Sequence, residues 1–365
     1  MRNLFPGWSS NLQLASGVFA PANHIQMRTK KNEERHRAIC RGLEFIYQTA
    51  RDRDYFEMYG HDYLCCFQCI AATSSDVRLA RMARRMGQER ARYWRREHAQ
   101  VTPDLDADDV ANLVFGSHAA DQLGVRDNAF KVNIRAAAQR FGPQEYFGFD
   151  PAHEPPPADV PDECKCGAQN KRGRMRCYYC KKTLYVLSPY AVWLDALTRS
   201  YHGEQYGVKL GASFRDVVKW LPTMRPYPSY DEDETDFYWA LYAVTHVVYT
   251  LNDYSHCKLS PRYLPDEYAF LKLNLKHYID VEDAESTGEL LDTLKSFGLS
   301  EAHPLISKGK NFLLAQQNPD GSWGDTEAED IYSRYHPTWT AIDGLREYAW
   351  RGGLRRGKLL QLRLT

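Results

Sequence analysis

The sequence predicts an all-α fold, an (α/α)6 toroid of paired helices interrupted by a small inserted zinc knuckle. Apolar residues recur at steps of three and four along most of the chain, and β-branched alternation is scarce. The helical segments also alternate between a polar, charged type and a nearly all-round apolar type. A double ring demands that alternation, because outer helices meet water on one face while inner helices meet neighbours on most sides. Finally, one short stretch carries four cysteines in two close pairs, a spacing that metal ligation explains better than a helix does.

Residues 1–30 form an N-terminal extension, and 31–150 hold the first half of the ring. Its first pair joins a polar helix over 33–51 to an apolar one over 61–74, where "HDYLCCFQCIAAT" sets Cys65, Cys66 and Cys69 at helical spacing as small buried hydrophobes. The second pair spans 76–98 and 107–120, and the arginines of "RLARMARRMGQERARYWRR" make a solvated outer face. The third pair, 126–141 and 189–203, is split by the insert at 151–187. The second half, 188–352, adds pairs at 212–221 with 234–252, 266–278 with 283–297, and 301–316 with 337–350, and a tail follows at 353–365. Two inner helices end alike, in "GSHAADQLG" and "RSYHGEQYG", each closing on a glycine suited to a helix C-cap.

The insert opens with "FDPAHEPPPADVPDE", too rich in proline for regular structure, and continues as "CKCGAQNKRGRMRCYYCKKTL". Cys164, Cys166, Cys177 and Cys180 are two thiolate pairs on tight turns, enough to close a tetrahedral Zn²⁺ site. With four protein ligands no coordination position stays open, so this zinc is structural and supplies folding energy to the insert. The knuckle resembles zinc ribbons over about twenty residues, and it offers a surface to a protein partner.

Composition narrows the function. Lys and Arg number 47, as do Asp and Glu, so no global field favours nucleic acid or an anionic membrane. Hydrophobic residues make up 43% of the chain, ample for a core. No apolar run approaches the ~18–20 residues that span a bilayer, and the N-terminus lacks the apolar centre of a signal peptide, so the expected location is cytoplasmic. Nucleophile elbows, phosphate-binding glycine loops and dinucleotide fingerprints are all missing from the sequence.

Parallel inner helices would gather their N-termini at one mouth. There the sequence places His61, Asp62, Asp108, Asp109, the acidic run from Asp231 to Asp236, Asp283, Glu285 and His336. Carboxylates cap helix amides, but a histidine gains nothing from the positive end of a helix dipole. His336, His61 and Asp283, with Glu285 nearby, therefore form a candidate catalytic metal set for Zn²⁺ or Fe²⁺. At the opposite ends His118, His202 and His246 form a second candidate set, open also to Cu. Aromatic residues such as Phe67, Trp193, Tyr242 and Trp339 stud the inner helices and suit an apolar substrate.

Two motifs carry a family resemblance. In "AQQNPDGSWGD", Gln317, Gly321 and Trp323 look like the glutamine-tryptophan repeat of squalene and oxidosqualene cyclases, which joins outer to inner helices of an α/α toroid. In the same superfamily an Asp-x-Asp-Asp-Thr sequence precedes an inner helix, and residues 231–235 read Asp-Glu-Asp-Glu-Thr, with Glu234 at the fourth position. The stretch "YSRYHPTWTAIDGL" is similar to the last inner helix of protein prenyltransferase β subunits, which implies that His336 binds a catalytic zinc. These likenesses imply a metal-dependent transferase, cyclase or oxidoreductase acting on an isoprenoid-like or peptide-like substrate. The alternatives are proton-initiated cyclisation, with Asp233 as the acid tuned by Asp231, Glu234 and Asp236, and a non-enzymatic interaction protein.

Overall fold

The computed structural model describes residues 21–157, 162–164, 166–170, 176–182 and 188–354. Within them the chain is all-helical apart from two two-residue strands, β1 (Asp162–Glu163) and β2 (Gln169–Asn170), which pair antiparallel in the knuckle. The tail at 355–365, like residues 1–20 of the expected extension, lies outside the described residues. None of the described helices is long and apolar enough to cross a membrane.

An apolar helix overlaps each segment that periodicity picks out: α2 (Arg53–Thr73), α4 (Ala107–Gln122), α7 (Pro189–Tyr206), α9 (Glu234–Leu251), α11 (Ala284–Ser296) and α13 (Tyr332–Leu345). The polar set comprises α1 (Pro21–Arg51), α3 (Val77–Glu97), α5 (Asn128–Ala138), α10 (Pro265–Asp280) and α12 (Pro304–Gln316), with short α6 (Pro143–Phe147) and α8 (Phe214–Val218). Local chemistry sets the boundaries. Asp52, Asp76, Asp106, Asp127, Ser188, Asp233 and Asp283 each cap a helix by accepting a backbone N–H, satisfying amides that have no partner within the helix. Gly207 ends α7 in the left-handed region at φ 74°, which a side chain would disfavour.

Four elements depart from expectation. The last apolar helix, expected over 337–350, spans Tyr332–Leu345, which puts His336 inside it and leaves 346–350 outside any helix. The first helix starts at Pro21, inside the expected extension. Tyr59, at φ −123° and ψ 17°, kinks α2 and divides a leading turn from the expected 61–74 segment. The expected helix over 212–221 is only α8 followed by a 3-10 turn at Leu221–Met224, because Pro222 removes a donor that a continuing α-helix needs.

Apolar helices pack in chain order: α2 on α4, α4 on α7, α7 on α9, α9 on α11 and α11 on α13. The last also meets the first. The Tyr335 ring lies 4.5 Å from that of Tyr63, its hydroxyl donates to Asp62 at 2.8 Å, and Ala349 N–H donates to the Thr73 carbonyl at 2.8 Å. Polar helices lie against this set, α1 on α2 and α13, α3 on α2 and α4, α10 and α12 on α11.

The glutamine-tryptophan element is a joint. Trp323 is fully buried and donates its indole N–H to the Leu313 carbonyl of α12 at 2.7 Å, while its backbone N–H donates to Thr338 of α13 at 2.8 Å. Gln317 donates to the Ala38 carbonyl of α1 at 2.9 Å. Gly321, at φ 96°, lies so close to the Arg41 backbone that a Cβ would come within 2.8 Å of its carbonyl oxygen.

Candidate active site

Between the apolar helices lies a cavity of about 640 Å³. Tyr238, Tyr332 and Trp239 stand in its wall with Phe115, Tyr249 and Trp339. Six carboxylates share the lining: Asp62, Asp195, Glu285, Glu289, Asp292 and Asp343. Three come from α11, where positions 285, 289 and 292 fall on one helical face. That helix is buried on every face except at the half-buried Glu285, and all three acids line the cavity.

The upper acids form a connected network. His336 donates from Nδ1 to Glu285 at 2.9 Å, and Tyr242 donates its hydroxyl to the same oxygen at 2.7 Å. Tyr238 lies 3.1 Å from Tyr242 through the two hydroxyls and is itself exposed, so hydroxyls link the buried carboxylate to the surface. Burial alone would raise the Glu285 carboxyl, but the neighbouring imidazolium and these hydrogen bonds hold it below its ordinary value. His336 responds in kind. Burial would lower it, yet Glu285 raises it to about 9.

One turn further along α11, Glu289 is in a different state. Burial pushes its carboxyl up to about 8, against the opposing pull of His336 and of the Thr245 hydroxyl, which donates to Oε2 at 2.6 Å. Asp292 lies another turn down, accepts from the Ser255 hydroxyl at 3.0 Å, and is raised to about 6 by burial and by Asp343. Asp195, on α7, keeps accessible oxygens in the wall, and the protein around it pushes its carboxyl up. Arg346 pairs with Asp343 at 2.5 Å and donates to Thr73 at 2.9 Å, fixing the floor to the end of α2.

A smaller cavity of about 240 Å³ lies below, sharing Cys65, Cys69, His202 and Tyr254 with the first. The His202 Nε2 to Tyr254 hydroxyl bond, 3.0 Å long, belongs to the wall between the two.

The expected sites distribute as follows. His336 and Glu285 meet, but His61 packs toward Phe115 with ring centres 6.4 Å apart and is absent from the large cavity's lining. Asp283 caps α11, accepting from the Ser286 amide and hydroxyl. His118 and His202 have ring centres 6.0 Å apart, and His246 is held by the Tyr242 carbonyl at 2.8 Å from Nδ1. Burial holds His118 and His246 near 4, so both are neutral at physiological pH. Neither histidine set gathers three ligand atoms at metal-binding distance among the described residues. Asp231, Asp233 and Glu234 are exposed, Asp233 accepts from the Asp236 amide as the cap of α9, and none of Asp231, Asp233, Glu234 and Asp236 lines the cavity.

The cysteines do gather. Cys164 and Cys180 sulfurs lie 3.3 Å apart, those of Cys166 and Cys177 3.8 Å, and all four fall within 4.8 Å of one another. Such a group can hold a metal ion. Four sulfurs around a tetrahedral ion at ~2.3 Å stand about 3.8 Å apart, close to what is found.

Glu289, Asp292, Asp195, Asp343 and Arg346 escape a reading that looks only at helix N-termini. The signal that finds three of the cavity acids is "AESTGELLDTL": acids at 285, 289 and 292 repeat with helical period on a helix whose other faces are also apolar or small. Comparison with known family descriptions, with curated proteins and with solved structures finds no match for this chain.

Proposed function

We propose that the paired helices close an (α/α)6 toroid and that its axial cavity is the active site of an enzyme working by general acid catalysis. One observation carries this reading: two carboxyls a single turn apart on α11 have unlike surroundings, Glu285 bonded to His336 and Tyr242 and so held below its ordinary value, Glu289 buried beside the Thr245 hydroxyl and so pushed up to about 8. Environments that split a carboxyl pair assign the acid. Glu289 is the proton donor to the leaving-group oxygen or nitrogen of a substrate whose bond to carbon breaks as water adds to that carbon, the proton lost by the added water restoring the acid. Glu285 stays ionised and keeps His336 as an imidazolium, whose Nε2–H is then a donor for negative charge developing on the substrate. The Tyr242 hydroxyl, backed by that of Tyr238, helps to hold Glu285 in its ionised form.

The toroid reading is supported by the succession of apolar helices and by contacts of Tyr335 and Ala349 with α2. The knuckle is read as a structural Zn²⁺ site on the spacing of its sulfurs. Proton-donor chemistry fits the cavity better than an isoprenoid-binding role, because a lining with six carboxyl groups would have to pack against hydrocarbon.

A panel of activated glycosides, esters and amides tests the assignment. Glu289→Gln should lower kcat by ~10²–10⁴ on any compound turned over, with the melting temperature kept within a few degrees. Equal turnover by wild type and Glu289→Gln would remove Glu289 as the acid.

A further inference from the structure

The cavity is lined by six carboxyl groups, and its cations do not balance them. Only two cations line it, and each is already engaged: His336 with Glu285 and Arg346 with Asp343. Four carboxyls are left without a direct ion pair in the cavity. Asp62 accepts from a tyrosine hydroxyl and Asp292 from a serine hydroxyl, while the Asp195 carboxyl accepts no hydrogen bond among the described residues. Glu289, only 2% exposed, has Oε2 bound to the Thr245 hydroxyl.

A second observation is independent of the acids. His202, nine-tenths buried in the same wall, bonds Tyr254 through Nε2 and leaves its buried Nδ1 unpartnered. Buried polar atoms are nearly always paired, and burial keeps this imidazole neutral, so its Nδ1 is an unmet polar atom, donor or acceptor according to the tautomer. Among the charged groups of the lining, carboxyls outnumber cations. The aromatic residues supply ring faces, which attract cations through their quadrupoles.

The acids are also spread along the axis. Glu285 to Asp292 covers seven residues of α11, about 10 Å of helix rise. An inorganic ion would satisfy one end only. We propose that the cavity binds a linear aliphatic di- or polyamine, its ammonium groups spaced along the α11 acids and its methylene chain against the aromatic wall. This rests on the cavity being a ligand site, as in the acid-catalysis reading, but not on Glu289 being the proton donor.

Titration calorimetry on the full chain with spermidine and putrescine, and with 1,8-octanediol as a neutral analogue, tests it at fixed ionic strength. Spermidine should bind and octanediol should not, and Asp292→Asn should weaken spermidine at least about tenfold. Asp195→Asn, at a carboxyl with accessible oxygens and no hydrogen bond to lose, gives the same readout where Asp292→Asn fails to fold. Equal binding of the diol, no binding of either amine, or amine binding unchanged in both variants overturns the proposal. Loss of turnover in Glu289→Gln without amine binding would leave the acid-catalysis reading standing and end this one. Amine binding with unaltered turnover in Glu289→Gln would do the converse.

Discussion

The protonation states of Glu289 and His336 make stability and rate depend on pH in a stated direction. Glu289 is raised from 4.5 to about 8, so the folded state holds a proton that the unfolded chain has released. Its contribution is full below about 4.5 and is lost as pH rises toward 8. His336, raised from 6.5 to about 9, adds a contribution that is full below 6.5 and lost toward 9. On the acid side His118 and His246, both held near 4, resist protonation in the fold, so stability falls as pH drops from 6.5 toward 4. Denaturant titrations should show a maximum between these limbs, and Glu289→Gln should flatten the alkaline one. The kcat of any substrate should likewise fall above about pH 8, as the donor ionises. An alkaline limb identical in the variant would contradict the assignment.

At the scale of elements, α11 and α13 approach closely enough to exclude a methyl group. A Cβ at Gly288 would lie 2.4 Å from the carbonyl carbon and oxygen of Thr340, and Gly344 faces Gly288 in return. Gly288→Ala should cost about 1–3 kcal/mol, read as a lower denaturation midpoint, because backbone and not a flexible side chain must move. Trp323→Ala should cost about 3–5 kcal/mol, since it opens a cavity at the junction of α1, α12 and α13 and strands the Leu313 carbonyl. Helices of both kinds were legible in the sequence, because burial on one side or on all sides leaves its own periodicity. Proline and aspartate marked most boundaries. Asp231 to Asp236 was less legible: an acidic run before an apolar helix reads the same whether it is a cap or a catalytic cluster, and only the path of the chain separates the two. Glu289 was less legible for the opposite reason: its helical repeat with Glu285 and Asp292 is written in the sequence, but only the packing of the neighbouring helices decides whether that face borders a cavity or a core.

Across the whole molecule, metal content separates the knuckle from the cavity. Elemental analysis should find about one zinc per chain, lost in Cys177→Ser and kept in His336→Ala. A second equivalent that disappears with His336 and His61 would restore a catalytic metal to the cavity. The four-cysteine group was legible from spacing alone because both thiol pairs are local in sequence, each formed by one turn. Histidine sets drawn from separate helices depend on rotation and depth of every helix concerned, and the sequence specifies those through packing rather than through any motif.

The contacts of Tyr335, Arg346 and Ala349 with α2 join the last apolar helix to the first. A chain leaving the ribosome makes α2 early, and the partners of its Asp62 and Thr73 side chains each follow 273 residues later, so that side stays wet until then. Nascent chains stalled before α13 should therefore be sensitive to protease and bind chaperones that recognise exposed apolar helices. Chains stalled with α13 outside the tunnel should become resistant in a single step.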